Sequence, residues 1–230
     1  NEVNATATGI DYEDGSTFVK LVYPTDPAGY WPLDDDGFTN GSSTVSRDYG
    51  GSDLNGTLMD GDDTSFSTGN IDDGLDFNGS RYLDLSAGVL GFNSLLEGSL
   101  AFWFKDSANA VDRTIFSASD AADADSFFKI VLRDNGFLQV AVSESGAPLL
   151  DFSTTSTFHD DTWHHVVFAV DATGNKFFVD GAEPTVNFAT GTTATQAFIA
   201  DVSGIDDVSF GRLVNSANVG GTDFFQGSMD

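Results

Sequence analysis

Apolar and polar residues alternate along most of the chain, and the alternation is clearest in "WHHVVFAVD" (Trp163–Asp171). Successive side chains of a strand point to opposite sides, so Trp163, His165, Val167 and Ala169 share one face, and His164, Val166, Phe168 and Val170 share the other. The same period of two predicts strands at Ser16–Tyr23, Gly74–Gly79, Arg81–Ser86, Gly98–Asp106, Arg113–Ser119, Ser126–Arg133, Gly136–Glu144, Pro148–Ser153, Asn175–Gly181 and Asp207–Arg212. Helical periodicity is almost absent; only "GVLGFNSLLEG" (Gly88–Gly98) reads as one short helix or turn. The turns "RDNG" (Arg133–Gly136) and "DATGN" (Asp171–Asn175) predict two hairpins, because Asn and Gly accept the positive φ such turns need. Short strands separated by Gly, Asn and Asp turns predict an all-β fold, a two-sheet antiparallel sandwich or jelly roll.

Composition agrees with a single packed domain. The 230 residues are 40% hydrophobic, with 21 Phe spread over the length and 25 Gly against 5 Pro. A chain of this size buries roughly 70–75% of its unfolded surface and needs no staples. Charge then narrows the partners. Nine Lys and Arg face 36 acids, only five of them Glu, for a net charge of −27. Phosphate binding needs clustered cations, so nucleic acid and anionic membranes are excluded as partners, and divalent cations become the natural counterions. An acidic surface is also what a protein of a salty habitat carries, where salt screens the self-repulsion.

There is no Cys, which excludes disulfides, thiolate metal sites and cysteine nucleophiles. No apolar run approaches the roughly 20 residues of a membrane span, so no membrane insertion is expected. The polar opening "NEVNATATGIDYEDGS" is no signal peptide. A strand beginning at Phe224 would be cut short at Asp230, which suggests a domain excised from a larger chain.

Candidate chemistry is sparse. His164 and His165 point to opposite faces and cannot chelate one ion together, and His159 in the preceding loop reaches only one of them. A half-buried histidine satisfied by backbone hydrogen bonds beside an exposed one is the expectation. Oxygen donors for calcium are richer: "LDDDGFTN" (Leu33–Asn40), "RDYGGSDLNG" (Arg47–Gly56), "MDGDDTS" (Met59–Ser65) and "DAADADS" (Asp120–Ser126) each offer carboxylates on turn-prone backbone. None completes an EF-hand loop.

The hairpin "TWHHVVFAVDATGNKFFVDGAEP" (Thr162–Pro184) resembles the hallmark hairpin of laminin-G-like domains in the concanavalin A-like lectin/glucanase superfamily. In the same order as that family, "GYWPLDDDG" (Gly29–Gly37) resembles its opening strand and "DYGGSDLNGTL" (Asp48–Leu58) its Gly/Asn-rich loop. "DDGLDFNGSRYLDLS" (Asp72–Ser86) resembles its paired early strands, "GSLAFWFK" (Gly98–Lys105) its central Trp strand and "FFQGSMD" (Phe224–Asp230) its closing strand. The resemblance implies a laminin-G-like jelly roll over residues 16–230, with residues 1–15 a linker or an extra strand. It also implies a structural calcium, whose ligands by motif position are Asp34, Asp48, Asn55 and Asp230. A second calcium on a loop rim falls, more weakly, to Asp120, Asp123 and Asp125. Trp31, Trp103 and Trp163 lie in matched strands and are expected to pack, leaving Tyr49 the freest aromatic.

The fold hosts lectins, adhesion modules, glycosidases and lyases alike, so function rests on the site. Glycosidases of the superfamily set two glutamates on one strand about 5 Å apart, whereas Glu2, Glu13, Glu97, Glu144 and Glu183 are each isolated. The Arg-rich strand of alginate-lyase relatives and a Gly-x-Ser-x-Gly elbow are missing too. The expected function is a non-catalytic, calcium-braced binding module for a glycan or protein on its rim loops, carried by a larger secreted or surface bacterial protein. A polysaccharide-processing enzyme and a spacer domain of a large adhesin are the alternatives.

Overall fold

The computed structural model describes residues 27–33, 45–50, 54–61, 65–107 and 111–230. In chain order the strands are β1 (Val45–Ser46), β2 (Gly56–Met59), β3 (Phe66–Thr68), β4 (Asp73–Asn78) and β5 (Tyr82–Asp84), followed by a one-turn helix α1 (Val89–Phe92). Then come β6 (Gly98–Ser107), β7 (Arg113–Ser119), β8 (Phe127–Leu132), β9 (Phe137–Glu144), β10 (Ala147–Thr157), β11 (Asp160–Asp171) and β12 (Gly174–Val179). β13 (Val186–Thr190), β14 (Asp207–Phe210), β15 (Leu213–Asn215), β16 (Asn218–Thr222) and β17 (Gln226–Met229) complete the described set. The strand expected at Ser16–Tyr23 lies outside the described residues.

Two antiparallel sheets form the sandwich. One has nine strands in the order β1-β2-β5-β14-β7-β8-β9-β10-β13, and the other has six in the order β12-β11-β6-β17-β4-β3. Alternation decides what each strand buries. In β11 the residues from Trp163 to Val170 alternate between partly exposed and buried, dividing the two faces as the pattern predicts, and it is the face of His164, Val166, Phe168 and Val170 that turns inward. Phenylalanines join the layers: Phe128 of the nine-stranded sheet lies 5.8 Å from Phe168 of the other, and Phe152 lies 5.4 Å edge-on to Phe177. Such pairs add about 0.5–1.5 kcal/mol each beyond their buried area.

Both predicted hairpins are present. Gly136 takes φ 81° and donates its N–H to the Arg133 carbonyl, closing β8 onto β9. Gly174, at φ 127°, has no room for a side chain, since a Cβ there would stand 2.0 Å from the Thr193 carbonyl oxygen.

Several elements depart from the pattern. The segment expected to be wholly loop at Asp48–Leu58 ends in β2, because Leu58 is buried opposite Leu83 of β5. β13 is a short edge strand whose Val186 and Phe188 lean on the core. β15 and β16 make a separate hairpin. The closing strand begins at Gln226 rather than Phe224, and Phe225 is drawn into the core against Phe77. Among the described residues no helix is long and apolar enough to cross a membrane.

Candidate functional site: a trough on the nine-stranded sheet

The site is built from register. Antiparallel pairing sets Asp84, Ser209, Ser117, Lys129, Ala141 and Asp151 side by side across β5, β14, β7, β8, β9 and β10. Neighbouring rows run Asp207, Ser119, Phe127, Ser143 and Thr114, Val131, Gln139, Ser153. Their alternate partners Phe116, Ala118, Phe128, Ile130, Val140 and Phe152 fill the core, so all three rows face outward. An outward face is normally wet, yet Ser117, Ser119 and Ser209 are fully buried.

The cause is the lobe formed by residues 211–224. The Ser117 hydroxyl donates to the Arg212 carbonyl at 2.8 Å, and Arg212 Nη2 donates to Asp207 Oδ2 at 2.7 Å. Its guanidinium lies 3.6 Å over the Tyr82 ring, and Phe224 packs 6.1 Å from the same ring. Burial pushes the Asp207 carboxyl above its ordinary value, against the pull of Ser209 and Arg212. The lobe thus covers β14 and β7 and stops short of β8.

Lys129 stands at that boundary, half-buried, with its ammonium 4.5 Å from the Phe127 ring centre. Among the described residues no carboxylate oxygen comes within 4.0 Å of it. Burial pushes the ammonium below the ordinary lysine value, opposed by Asp223, Asp112 and Asp151 and assisted by Arg133. Beyond it lies a hydrogen-bonded run: Arg133 Nε to Asp112 Oδ1 at 3.0 Å, Arg133 Nη1 to Gln139 Oε1 at 2.8 Å, and Gln139 Nε2 to Asp151 Oδ1 at 2.7 Å. An open cavity of about 360 Å³ adjoins the lobe, lined by Asp112, Asp223 and Phe224 among others. A half-buried aromatic side chain and a few oriented polar groups are general features of a small-molecule site.

The residues singled out from the sequence lie elsewhere. Asp34 falls outside the described residues. Asp48 is buried, and its carboxylate accepts three backbone N–H groups: Tyr30 at 2.7 Å and Gly50 at 2.6 Å on Oδ1, and Leu54 at 2.8 Å on Oδ2. Asn55 Oδ1 accepts the Asp48 N–H at 2.9 Å, so these two are neighbours. Asp230 has other partners, its Oδ2 accepting the Ile71 N–H at 2.6 Å and its backbone pairing with Trp103. Burial raises its carboxyl, opposed by the amides of Ile71 and Asn70. Asp48 therefore pins the loop to the segment before it. Asp48→Ala, which strands buried amides, is expected to cost about 2 kcal/mol in thermal unfolding.

On the rim, Asp123 accepts the Asp125 N–H at 3.0 Å and the Ser126 hydroxyl at 2.7 Å, contacts that hold its carboxyl below the usual range. Asp120 accepts the Ala122 N–H at 2.7 Å, so the loop is closed on itself. Among the described residues no group of three His, Cys, Asp or Glu is placed to hold a metal ion. His164 is buried as expected, but its partners are side chains rather than backbone. Nδ1 lies 2.8 Å from Asp180 Oδ2, and Nε2 lies 3.1 Å from Asp160 Oδ1. His159 packs instead against Gly136.

Trp31 packs as expected, 6.4 Å from Phe92, but Trp103 and Trp163 lie outside the core. Phe102 and Phe104 take the inward positions of β6, which turns Trp103 out. It meets His165 at 4.8 Å, while Lys105 lies 5.4 Å over Trp163. Tyr49, expected to be the freest aromatic, is 46% accessible with the Arg47 guanidinium 5.9 Å from its ring, and Tyr30 is more exposed at 54%.

Residues 77–230 match a laminin-G-like family model of the concanavalin A-like lectin/glucanases superfamily. The chain belongs to this superfamily. A search among curated proteins finds no match. Among solved structures, this laminin-G-like domain is similar to the Ruminococcus gnavus IT-sialidase CBM40 bound to α2,3-sialyllactose. The TM-score is 0.56 at 17% identity, over 68% of this chain and 88% of that one. It is also similar to domain 4 of AbnA, a GH43 extracellular arabinanase from Geobacillus stearothermophilus in complex with arabinotriose. Here the TM-score is 0.54 at 16% identity, over 83% and 91% of the two chains. The NanB sialidase of Streptococcus pneumoniae matches with a TM-score of 0.53 at 19% identity, over 68% of this chain but 24% of its own. At these identities the likeness is one of fold.

The trough was missed by sequence reasoning, although one signal was present. In "FSAS", "FFKIV" and "QVAVS" the positions alternating with core residues are Ser117 and Ser119, then Phe127, Lys129 and Val131, then Gln139, Ala141 and Ser143, so one lysine sits among mainly small and polar outward residues in three consecutive strands of this laminin-G-like domain.

Proposed function

We propose that this laminin-G-like domain is a non-catalytic carbohydrate-binding module that takes a glycan in the trough beside the 211–224 lobe. The observation that carries this reading is Lys129, a half-buried ammonium without an ion-pair partner among the described residues, set in the outward rows that also hold Gln139, Ala141 and Asp151. An ammonium in that position donates to sugar oxygens, Gln139 and Asp151 fix the hydroxyls alongside, and Phe224 offers an apolar surface to a ring face. The sugar complexes of the two similar folds support a glycan ligand. The sheet face is preferred to the rim loops as the place of binding, because the carboxylates of Asp120 and Asp123 accept hydrogen bonds within their own loop.

The module would belong to a larger secreted or surface bacterial protein, which it would hold against a polysaccharide. A calcium brace belongs to the same proposal as a support outside the trough, drawing on Asp34 with its neighbours in the Asp48–Asn55 loop. The trough reading is tested on a glycan array with the purified domain in millimolar calcium and again in excess EDTA. Binding of one sugar class is expected in both conditions, with melting temperature lowered in EDTA. Lys129→Ala is expected to weaken that binding by about tenfold or more, the loss of one hydrogen bond from a charged donor. Full retention of binding by that variant would sink the assignment of the trough.

A further inference from the structure

Charge around Lys129 decides which glycans the trough admits, and this step rests on the binding role proposed above. Three other cations border the site, and each is already committed. Arg113 is buried against Asp106 at 2.6 Å, and Arg212 is held by Asp207 at 2.7 Å. Arg133 spends Nε on Asp112 at 3.0 Å and Nη1 on Gln139 at 2.8 Å. Lys129 is the half-buried cation of the site with no ion-pair partner among the described residues; Asp151 stands two strands away in the same row, and Asp223 also acts on it, while Asp112 is held by Arg133.

A sugar carboxylate or sulfate brought to Lys129 would gain one cation and face the carboxylates of Asp151 and Asp223 in a partly dehydrated site, Asp112 being paired with Arg133. The whole chain, at −27, would also slow the approach of any polyanion. A neutral sugar meets no such penalty. Its hydroxyls donate to the free lone pairs of Asp151 and Asp223 and accept from Lys129, so the same carboxylates that repel an acid orient a polyol.

We infer that the ligand is a neutral glycan, presenting hydroxyls rather than carboxylate or sulfate groups to the row Lys129, Gln139 and Asp151. The similar sialidase module was solved with an acidic sugar, and the arabinanase domain with a neutral one. The inference places this domain with the second in ligand charge.

The experiment uses the intact chain and matched sugars that differ in charge: lactose against 3′-sialyllactose, galactotetraose against tetragalacturonate, and neutral arabino- and xylo-oligosaccharides. Affinities are read by calorimetry at low and high salt. The expected result is binding of a neutral member at least about tenfold tighter than its acidic counterpart, with the discrimination shrinking as salt screens the Asp residues. Asp151→Asn and Asp223→Asn are expected to narrow the gap from the acidic side. Tighter binding of the acidic members, weakened by salt, would overturn this inference and leave carbohydrate binding standing. No binding of any sugar, with far-UV circular dichroism unchanged, would overturn the proposed function itself.

Discussion

Phe168→Ala is expected to destabilise the domain by about 3–5 kcal/mol. Phe168 is fully buried in β11 and is the point where the two sheets meet through rings. Phe128 lies 5.8 Å away, Phe152 6.2 Å and Phe198 6.1 Å. Truncation removes both the transfer free energy of the ring and the contacts of three neighbours, two of them, Phe128 and Phe152, fixed in strands that collapse poorly into the space left. For a domain of this size the melting temperature should fall by about 10 °C. Urea unfolding checks it, with the midpoint shifted and the slope unchanged. Phe178, on the half-buried outward face of the next strand, supplies the control and should cost clearly less on truncation. Equal effects of the two would contradict the packing described here.

Arg113→Met is the second large effect, at about 3–5 kcal/mol. Arg113 is 1% exposed, and its Nη1 lies within 2.7 Å of both Asp106 oxygens, at the foot of the trough between β6 and β7. Methionine fills much of the volume but leaves a buried carboxylate without its counter-charge. The penalty should therefore be electrostatic rather than steric. Replacing both partners, Arg113→Met with Asp106→Leu, is expected to recover most of the loss, because an apolar pair needs no desolvation of charge. Chemical denaturation of the two single variants and the double variant measures the coupling. If the double variant is no better than Arg113→Met, the cost lies in packing and the ion pair is incidental.

The sheets were legible because alternation is a local signal. The predicted spans of β6 to β9 match within one residue, and the shared face of His164 and Phe168 was readable from one nine-residue run, although β7 is buried along its whole length and β10 runs on to Thr157. Partners were not legible. His164 was expected to lean on backbone, yet Asp180 and Asp160 reach it, one from the turn after β12 and one from the start of β11. Trp103 was assigned to packing because its strand is central, although the same alternation that buries Phe102 and Phe104 had to turn it outward.

The trough lay furthest from view. Lys129 acquires meaning only when Ser209, Ser117, Ala141 and Asp151 are placed beside it, and that row joins positions from four other strands. The lobe that buries those serines is built from β15 and β16, two strands too short to declare themselves by periodicity. Motif position grouped Asp48 with Asp230 as expected calcium ligands, and their hydrogen-bond partners, Tyr30 and Leu54 for one and Ile71 and Trp103 for the other, were not legible from it.

The most direct test of the trough is to map where the sugar lands. The domain, labelled with ¹⁵N and assigned, is titrated with the tightest oligosaccharide from the array while amide shifts are followed. The account predicts saturable shifts at Ser117, Lys129, Gln139, Asp151 and Phe224, with the six-stranded sheet silent. Shifts confined instead to Trp103, Trp163 and His165 would contradict it and move the binding site to the opposite face of the sandwich.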